Sequence, residues 1–342
     1  MRSVTLKDIA ARAGVSMMTV SKVMRDAPDI SAETKTRIKL IAQQMGYVPD
    51  GIARGLRYRK TKLLGLIIPS IANPIFARMV LAIEDKAHDL GYELILAQTH
   101  NIAEREDSNI IRLLSRKVEG LLIWPVYRPA DDVRVYRELQ TRGTPTVILG
   151  PTTGYCRQFV NVECDDEGGS RTATQHLLKL GHKRIAFLTG PILAPWAQRR
   201  FEGYKAALRE AGLGPDDRLV FQAGSTIEDG VRAAQQMQAE SCNATAIQAV
   251  NDLAAIGCAE FLLRSGTKIP ETMSIAGFGN IMSAEFFRVP LTTVRQPKHK
   301  LGEAAMETLV QLLGGKKVEP VQLPTELIIR ASTGPAPEQT KH

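Results

Sequence analysis

From residue 63 onward the chain alternates short apolar runs with amphipathic stretches, and this alternation limits the folds open to it. Buried strands are predicted for the runs "LLGLIIPS", "YELILAQTH", "GLLIWPV", "TPTVILGP", "FVNVE", "RIAFLTGP", "RLVFQAG", "ATAIQAVN" and "SIAGFG". Helices are predicted between most of them, over residues 75–90, 104–117, 131–142, 166–180, 197–212, 228–240 and 252–265. Apolar strands separated by helices indicate parallel sheets covered on both faces. Because the units are too many for one ordinary open sheet, the sequence predicts an α/β core of two doubly wound parallel-sheet subdomains.

The first 48 residues have the pattern of a small all-α unit. "LKDIAARA" predicts a short helix capped by Thr5, and a second helix is predicted from Ser16 to about Arg25. Gly14 between them can adopt the left-handed conformation of a tight turn. This order is typical of the helix-turn-helix motif, whose second helix enters the DNA major groove, although an ordinary helical hairpin is the alternative. A third helix is predicted from Ser31 through "AETKTRIKLIAQQM".

The second helix has an unusual outward face. Val20 and Val23 share the side that faces a core, whereas Met18 and Lys22 fall on roughly the opposite side. Lysine can contact phosphates or guanine edges, and methionine can contact thymine methyl groups, so this face suits DNA better than water. The residues of this unit predicted to contact DNA are Thr5, Ser16, Met17, Met18, Thr19, Ser21, Lys22 and Arg25.

The charge distribution supports DNA binding by the N-terminal unit. Residues 1–62 hold 13 Lys or Arg and 5 Asp or Glu, so they carry the entire +8 charge of the chain, and the remainder balances at 31 of each sign. An excess confined to one small unit is expected of a nucleic-acid-binding surface.

The rest of the sequence argues against several classes of protein, among them membrane proteins, disulfide-bonded proteins and enzymes. No apolar run reaches 18 residues and the N-terminus lacks the core of a signal peptide, so we expect a cytoplasmic, nucleoid-associated protein without a membrane segment. The four cysteines include no CxxC pair and are expected to be isolated thiols. There is no dinucleotide-binding GxGxxG, P-loop or HExxH motif, so the chain is predicted not to be an enzyme and to hold no metal or cofactor. The carboxylates of "CDDEGG" are expected to favour the start of the next helix.

A ligand cleft is predicted at the carboxyl ends of the strands, where ligands bind in this architecture. Amide, guanidinium, carboxylate and aromatic groups that converge there suit a polyol or sugar, because hydroxyls need donors and acceptors while rings stack on tryptophan. Each residue alone has a plainer alternative, such as a helix cap, a core position or a surface ion pair. The predicted effector-binding residues are Asn73, Phe76, Trp124, Trp196, Arg200, Asn251, Asp252 and Asn280.

The stretches "VTLKDIAARAGVSMMTVSKVM", "GYVPDGIARGL", "GLIIPSIANPIF", "HLLKLGHKRIAFLTGP", "AVNDLAAIG" and "PLTTVRQP" resemble the LacI/GalR family of bacterial transcription regulators. The resemblance runs from Val4 to about Ser332. It implies a homodimer that binds a palindromic operator in double-stranded DNA, with a headpiece, a hinge helix and a periplasmic-binding-protein-like effector core. It also implies that the basic, linker-like segment 50–58 is the hinge helix, with Ala53 and Leu56 on DNA and Leu56 as a minor-groove wedge.

The same resemblance places Met17, Met18, Ser21 and Lys22 at base-reading positions. Two methionines there depart from the family's polar pair and would act through thymine methyls and DNA shape. In the core, Arg200 matches the family's cleft arginine, whereas "GFGN" lacks the carboxylate that many members have. An unopposed Arg200 would favour a sugar acid or a phosphorylated sugar over a neutral sugar.

The prediction is therefore a repressor of carbohydrate-utilisation genes whose operator affinity is controlled by a sugar, sugar acid or sugar phosphate. A corepressor-dependent, purine-type regulator and a solute-binding protein without DNA function are the alternatives. The predicted domains are the headpiece over 1–48, the hinge over 49–61, the core over 62–332 and a disordered tail over 333–342. Within the core, the N-subdomain is predicted over about 62–160 and 291–323 and the C-subdomain over about 161–290 and 324–332.

Overall fold

A computed structural model describes residues 4–47 and 61–338. The chain divides into two compact units, and the boundary between them along the sequence lies between Thr61 and Lys62. The predicted hinge helix, with Ala53 and Leu56, lies outside the described residues. Within the described residues, no helix is both long and apolar enough to cross a membrane.

The N-terminal unit contains three helices, which are α1 (Leu6–Ala13), α2 (Met17–Val23) and α3 (Ala32–Gln44). The predicted cap of α1 at Thr5 is confirmed, and it forms a capping box in which Thr5 and Asp8 satisfy each other's backbone N–H groups. Gly14 ends α1 at φ 68°, which lets α2 start after a tight turn. Ser16 caps α2 through the N–H of Thr19 at 3.1 Å. The helix ends at Val23, slightly earlier than the predicted end near residue 25.

The three helices enclose a small core of their own. Ile9, Val20, Val23 and Ile38 are fully buried, and Met24 packs against them from the side. The predicted inward face of α2 is therefore confirmed.

The second unit is built on two six-stranded sheets. The strands are β1 (Leu63–Ile68), β2 (Glu93–Gln98), β3 (Gly120–Ile123), β4 (Thr146–Leu149), β5 (Val160–Cys164), β6 (Ile185–Thr189), β7 (Val220–Gln222), β8 (Ala246–Ala249), β9 (Ser274–Gly279), β10 (Thr292–Arg295), β11 (Val321–Leu323) and β12 (Glu326–Ile328). The first sheet has the order β11-β5-β4-β3-β1-β2 and the second β12-β10-β9-β8-β6-β7. Every pairing is parallel except that of β12 with β10. Two parallel-sheet subdomains were predicted, and that prediction is confirmed.

Helices cover both sheets, as expected for strands whose two faces are apolar. They are α4 (Pro74–Asp89), α5 (Ala103–Ser115), α6 (Arg134–Thr141), α7 (Asp166–Lys179), α8 (Pro195–Glu210), α9 (Ile227–Ala239), α10 (Asp252–Arg264), α11 (Met282–Phe286) and α12 (Lys298–Leu313). The central strands β3, β4, β8 and β9 are buried along their whole length. The sequence did not predict β10, β11 and β12 as strands; β11 and β12 are partly exposed three-residue edge strands with little apolar signal.

The chain passes between the subdomains three times, at residues slightly different from those expected. β5 pairs with β4 and β11, so the C-subdomain begins after Cys164 rather than at 161. β10 pairs with β9, so the return falls after Arg295 rather than at 290. The physical reason is that each strand completes a sheet before the chain leaves it. The third passage lies between β11 and β12.

The predicted disordered tail is wrong in its first part. The Thr333 hydroxyl lies 2.9 Å from His176 Nε2, and the Ala336 N–H donates to the Leu180 carbonyl at 2.8 Å. These contacts hold the chain against the C-subdomain to at least residue 336. Residues 339–342 lie outside the described residues.

Candidate operator surface and effector cavity

The outward face of α2 carries exposed apolar side chains beside cations. Met17 is 58% and Met18 is 68% exposed, which is unusual for methionines in a unit that has a core available. Lys22 forms an ion pair with Asp29, and Arg25 Nε donates to the Ser21 carbonyl at 2.8 Å. Both cations are thus held beside the methionine face.

The other predicted DNA-contacting residues of the headpiece lie at helix ends. Thr5 and Ser16 are N-caps, and the Thr19 hydroxyl lies 2.9 Å from Ser16 Oγ. Hydroxyls and backbone N–H groups at helix N-termini suit phosphate oxygens. Ala53 and Leu56, predicted in the hinge, lie outside the described residues.

The core contains a cavity of about 480 Å³ between its two subdomains, at the carboxyl ends of the strands. This volume falls in the range of small-molecule sites, about 300–1,000 Å³. Seven predicted effector residues line it, namely Asn73, Phe76, Trp124, Trp196, Arg200, Asn251 and Asp252. The strand-end rule thus led to side chains that share one cavity.

Asn280 is the predicted residue that does not line the cavity. Its backbone is left-handed at φ 49°, and its side-chain Oδ1 accepts a hydrogen bond from Arg330 Nη2 at 2.9 Å. The side chain is therefore bonded to Arg330 instead of lining the cavity. Its backbone is used nearer the cavity, where the carbonyl accepts from Lys298 Nζ at 2.9 Å and the N–H donates to the Thr293 hydroxyl at 3.2 Å.

Aromatic rings form two walls of the cavity. Phe76 and Trp124 of the N-subdomain meet edge to face with centroids 5.0 Å apart. On the other wall the Arg200 guanidinium lies 4.9 Å from the Trp196 ring and 3.6 Å from that of Phe278. Such rings offer flat apolar faces to a ligand ring.

The structure corrects the expectation that Arg200 is unopposed. Its Nε and Nη2 both donate to Asp166 Oδ1, at 2.8 and 2.7 Å, and its Nη1 donates to the Val250 carbonyl at 2.7 Å. Arg200 and Asp166 are 4% and 2% exposed. The acidic run "CDDEGG" thus has two roles, because Asp165 caps α7 through the N–H of Gly168 at 2.9 Å while Asp166 turns inward to neutralise the arginine.

Asp252 is the second buried carboxylate at the cavity. It accepts from the Thr293 hydroxyl at 2.5 Å and from the Ile281 N–H at 2.9 Å. Burial raises its pKa, while the hydrogen bonds from Thr293 and Ile281 and the charges of Lys298 and Arg200 oppose that shift. The neighbouring Asn251 caps α10 through the Ala254 N–H at 2.8 Å, so the alternative interpretation as a helix cap is also correct for it.

Lys298 is a cavity residue that the sequence reasoning missed. It is 8% exposed, and its ammonium donates to the carbonyls of Gly279 and Asn280. Burial lowers its pKa to about 8, partly offset by the charge of Asp252. The segment "GFGN", which lacks the family's carboxylate, is thus held by a lysine through its backbone.

Gly279 itself is constrained. Its φ is 134°, and a Cβ there would lie 3.0 Å from Ile75 Cδ1 and 3.3 Å from Asp252 Oδ2. Glycine therefore allows Ile75, from the start of α4, to approach the C-subdomain closely.

Gln296 is a second missed residue, and it carries an orphan acceptor. The thiol of Cys164 lies 3.5 Å from Asp166 Oδ1, and Gln296 Nε2 lies 3.2 Å from the same sulfur. If the thiol donates to the carboxylate, the sulfur accepts from the amide N–H, which leaves Gln296 Oε1 facing away. That oxygen is buried and accepts no hydrogen bond from the described residues. The sequence signal for Gln296 and Lys298 is their position just after β10, a strand that the apolar pattern does not predict.

Another cavity wall is fixed from behind by Glu106. This buried carboxylate of α5 accepts from the Val126 N–H, from Arg128 Nη2 at 2.8 Å and from the Tyr136 hydroxyl at 2.9 Å. Burial raises the pKa of Glu106, against the lowering effect of these bonds. The wall that contains Val126 and Tyr127 is therefore preorganised. No group of side chains that could hold a metal ion occurs among residues 4–47 and 61–338.

Comparisons with known proteins agree with this architecture. Residues 5–50 match the model of bacterial regulatory proteins of the lacI family, and residues 174–333 match a periplasmic binding protein-like domain. The HTH-type transcriptional repressor PurR of Pasteurella multocida is 31% identical over 330 residues, which cover 96% of this chain and 98% of that protein.

Two solved structures show the same arrangement. The lac repressor dimer bound to operator and the anti-inducer ONPF has a TM-score of 0.87 at 27% identity, covering 97% of this chain and 100% of that one. A complex of the transcriptional regulator CelR with cellobiose has a TM-score of 0.74 at 30% identity, covering 96% and 99%. These relatives are regulators rather than enzymes, in agreement with the prediction from the sequence.

Proposed function

The chain belongs to the LacI family of bacterial regulatory proteins, and from this premise we propose that it represses carbohydrate-utilisation genes under the control of a neutral sugar bound in the core cavity. As a member of the family it is a transcription regulator that binds operator DNA as a dimer and responds to a small molecule. The identity of that molecule and the residues that contact it are the proposal. Its site of action would be chromosomal DNA in the cytoplasm.

The operator is proposed to be read by α2 and the hinge. Met17, Met18, Ser21 and Lys22 would face base edges, with the methionines against thymine methyls. Thr5, Ser16, Thr19 and Arg25 would contact the DNA backbone around them, and Ala53 and Leu56 would contact the minor groove. The observation that supports this surface is the exposure of both methionines beside two cations.

The charge of the cavity supports a neutral ligand. Arg200 is already paired with Asp166, and the negative charge of Asp252 stabilises the ammonium of Lys298. Each buried positive charge therefore has a negative partner. An anionic sugar would add a charge to a balanced, poorly solvated site, which is unfavourable. Hydroxyls, by contrast, can use the remaining N–H groups of Arg200 and Lys298 and the side chains of Asn73 and Gln296. The pairing of Arg200 with Asp166 therefore favours a neutral sugar over the sugar acid or sugar phosphate that an unopposed arginine would bind.

A purine corepressor is the second candidate, because the PurR relative is 31% identical over nearly the whole chain. The aromatic walls made by Phe76, Trp124 and Trp196 would also stack a flat base. The regulator CelR, whose structure contains cellobiose, favours the sugar. The two candidates differ in the sign of regulation, since a sugar would release DNA and a purine would strengthen binding.

The test uses the two tryptophans of the chain, Trp124 and Trp196, which both line the cavity. We would measure the melting temperature and the tryptophan emission of the full-length dimer with neutral sugars, sugar acids, sugar phosphates and purine bases. A ligand that binds the native state raises the melting temperature by mass action. A neutral sugar should both stabilise the protein and change its emission, and should weaken its binding to operator in an anisotropy titration.

Single variants connect the result to the cavity. Trp196→Phe should remove part of the emission change while the sugar still stabilises the protein. Stabilisation only by purines, or by a sugar phosphate but no neutral sugar, would refute the proposed ligand class. Stabilisation by a neutral sugar with no emission change would place its site elsewhere.

A further inference from the structure

The two exposed methionines at the start of α2 have a chemistry that DNA recognition does not use. Met17 is 58% and Met18 is 68% exposed, whereas the headpiece core is made by other side chains, among them Ile9, Val20 and Ile38. Peroxides oxidise the thioether sulfur of methionine to a sulfoxide. A reagent dissolved in water can therefore reach both side chains while the headpiece stays folded.

Most other methionines of the chain are shielded from such a reagent. Within residues 4–47 and 61–338, the other exposed methionine is Met282 of α11, at 72%. The remaining methionines of these ranges are buried or half-buried, namely Met24, Met45, Met79, Met237, Met273 and Met306. Two of the three exposed thioethers thus lie side by side on the proposed operator surface.

The cysteines compete poorly for the same oxidant. Cys156, Cys164 and Cys258 are buried and Cys242 is half-buried. Burial raises the pKa of all four thiols, so little of the thiolate that reacts with peroxides is present at neutral pH. The exposed methionines should therefore be oxidised before the thiols.

Oxidation changes what the side chain can contact. A sulfur lone pair attacks one oxygen of hydrogen peroxide, and the O–O bond breaks as the S–O bond forms. The proton of the transferred oxygen passes to the departing hydroxide, which leaves as water, so the sulfur is oxidised and the peroxide reduced. The sulfoxide oxygen is polar and accepts hydrogen bonds. A thymine methyl group has no donor for it, so a desolvated acceptor would be left unpaired in the major groove.

We propose that Met17 and Met18 are a modification site at which a peroxide weakens operator binding, and that methionine sulfoxide reductases reverse the effect. This inference rests on the proposed function, because it takes α2 as the helix that reads the bases. One unpaired acceptor in each protomer should weaken operator binding by about tenfold or more. The protein would then leave its operator without a ligand in the cavity.

The experiment follows oxidation and DNA binding in the same samples. The full-length dimer would be treated with hydrogen peroxide, and peptide mass spectrometry would locate the added oxygen. Binding to an operator duplex, obtained by selection with untreated protein, would be measured by anisotropy. Oxidation of Met17 and Met18 should accompany a loss of affinity of about tenfold or more, and sulfoxide reductases should restore the affinity. Bound operator should protect both residues, whereas Met282 should react equally with and without DNA.

Variants connect the loss to the pair. Met17→Leu combined with Met18→Leu keeps two apolar side chains but removes both sulfurs. Whatever the starting affinity of this double variant, the ratio of its affinities before and after peroxide should be near one. Met282→Leu is the matched control, since it removes an exposed methionine of the core, and it should keep the wild-type ratio. The melting temperature of the oxidised protein should stay within a few degrees of the untreated value, because the headpiece core is not altered.

The outcomes that contradict the inference differ from those that contradict the proposed function. Oxidation of Met17 and Met18 with unchanged operator affinity would overturn the modification site while operator protection still supports α2 as the reading helix. A loss of affinity that persists in the double leucine variant would assign the effect to another group and would also overturn it. If bound operator left both methionines as reactive as in the free protein, the proposed operator surface itself would be refuted.

Discussion

Replacing Asp166 by asparagine should be among the most destabilising single changes to the core, although it alters only one atom of the side chain. The variant keeps the side-chain volume but removes the charge that balances Arg200. Both residues are at most 4% exposed, and the two contacts to Asp166 Oδ1 measure 2.7 and 2.8 Å. Breaking a buried pair by removing one partner costs about 3–5 kcal/mol, because the remaining charge is left uncompensated.

This free energy converts into a large thermal shift. A change of 1 kcal/mol moves the melting temperature of a unit this large by about 2–4 °C, so Asp166→Asn should lower it by roughly 6–20 °C. The measurement is the melting temperature of the effector-free dimer by differential scanning fluorimetry at fixed protein concentration. Combining Asp166→Asn with Arg200→Met should recover most of the loss, since both charges are then absent.

A matched control is the pair Arg171–Glu210, which has the same 2.7 Å separation but is 49% and 43% exposed. Glu210→Gln should cost at most about 1 kcal/mol, as exposed pairs do. If Asp166→Asn were no more destabilising than Glu210→Gln, or if the double variant were less stable than Asp166→Asn alone, the account of Arg200 as a neutralised buried charge would be refuted.

Three further predictions concern the operator surface, the buried Lys298 and the turn at Gly279 and Asn280. Met18→Ala should change operator preference at one or two half-site positions in a binding-site selection. Lys22→Ala should weaken binding to the preferred operator more severely, by about 1–3 kcal/mol, and relax preference at the base that the lysine contacts. Unchanged sequence preferences in both variants would contradict the operator surface. Burial lowers the pKa of Lys298 from 10.5 to about 8 in the folded protein. Between pH 8 and 10.5 the unfolded chain therefore holds more protons at this lysine than the folded protein does, so stability rises with pH across this window. Lys298 thus disfavours folding most below pH 8 and progressively less as the pH approaches 10.5. The melting temperature of wild type minus that of Lys298→Met should therefore increase between pH 7 and 9.5, and a constant difference would show that the lysine is not desolvated. Gly279→Asp should destabilise the protein rather than restore an acidic sugar ligand, because of its φ of 134° and the nearby Asp252 oxygen, whereas Asn280→Asp, at a φ of 49° that aspartate tolerates, should leave the melting temperature within a few degrees of wild type.

Much of the fold and part of the cavity could be predicted because they depend on local patterns. Apolar strands separated by amphipathic helices specify parallel sheets, and the ends of parallel strands place Asn73, Trp124 and Arg200 at one edge. These features require only the order of residues along the chain. The capping box at Thr5 and the left-handed Gly14 are local in the same sense.

The failures concern contacts between distant segments. Asp165 and Asp166 are adjacent and chemically identical, yet one caps α7 and the other turns inward to Arg200, a residue 34 positions away. Asn280 directly follows the end of β9, as expected, but its side chain is bonded to Arg330 and does not line the cavity. Which of two adjacent residues, such as Asp165 and Asp166, turns toward the cavity depends on the residue at which the helix begins and on partners far along the chain. No local sequence pattern identifies those partners.

The buried polar end of the cavity coincides with the places where the chain passes between the subdomains, and this bears on how a ligand could control DNA binding. Asp166 follows the first passage, while Gln296 and Lys298 lie on the second. The third passage is tied to the first, because the Asp165 N–H donates to the Leu323 carbonyl at 2.9 Å. A ligand that contacts Arg200, Gln296 or Lys298 therefore touches groups bonded to the connecting segments themselves. If it binds one relative orientation of the subdomains more tightly, it shifts the population toward that orientation. If operator binding prefers the other orientation, operator DNA must lower the affinity for the ligand by the same factor by which the ligand lowers the affinity for operator DNA. Measuring the ligand affinity with and without operator, and the operator affinity with and without ligand, should therefore give the same ratio.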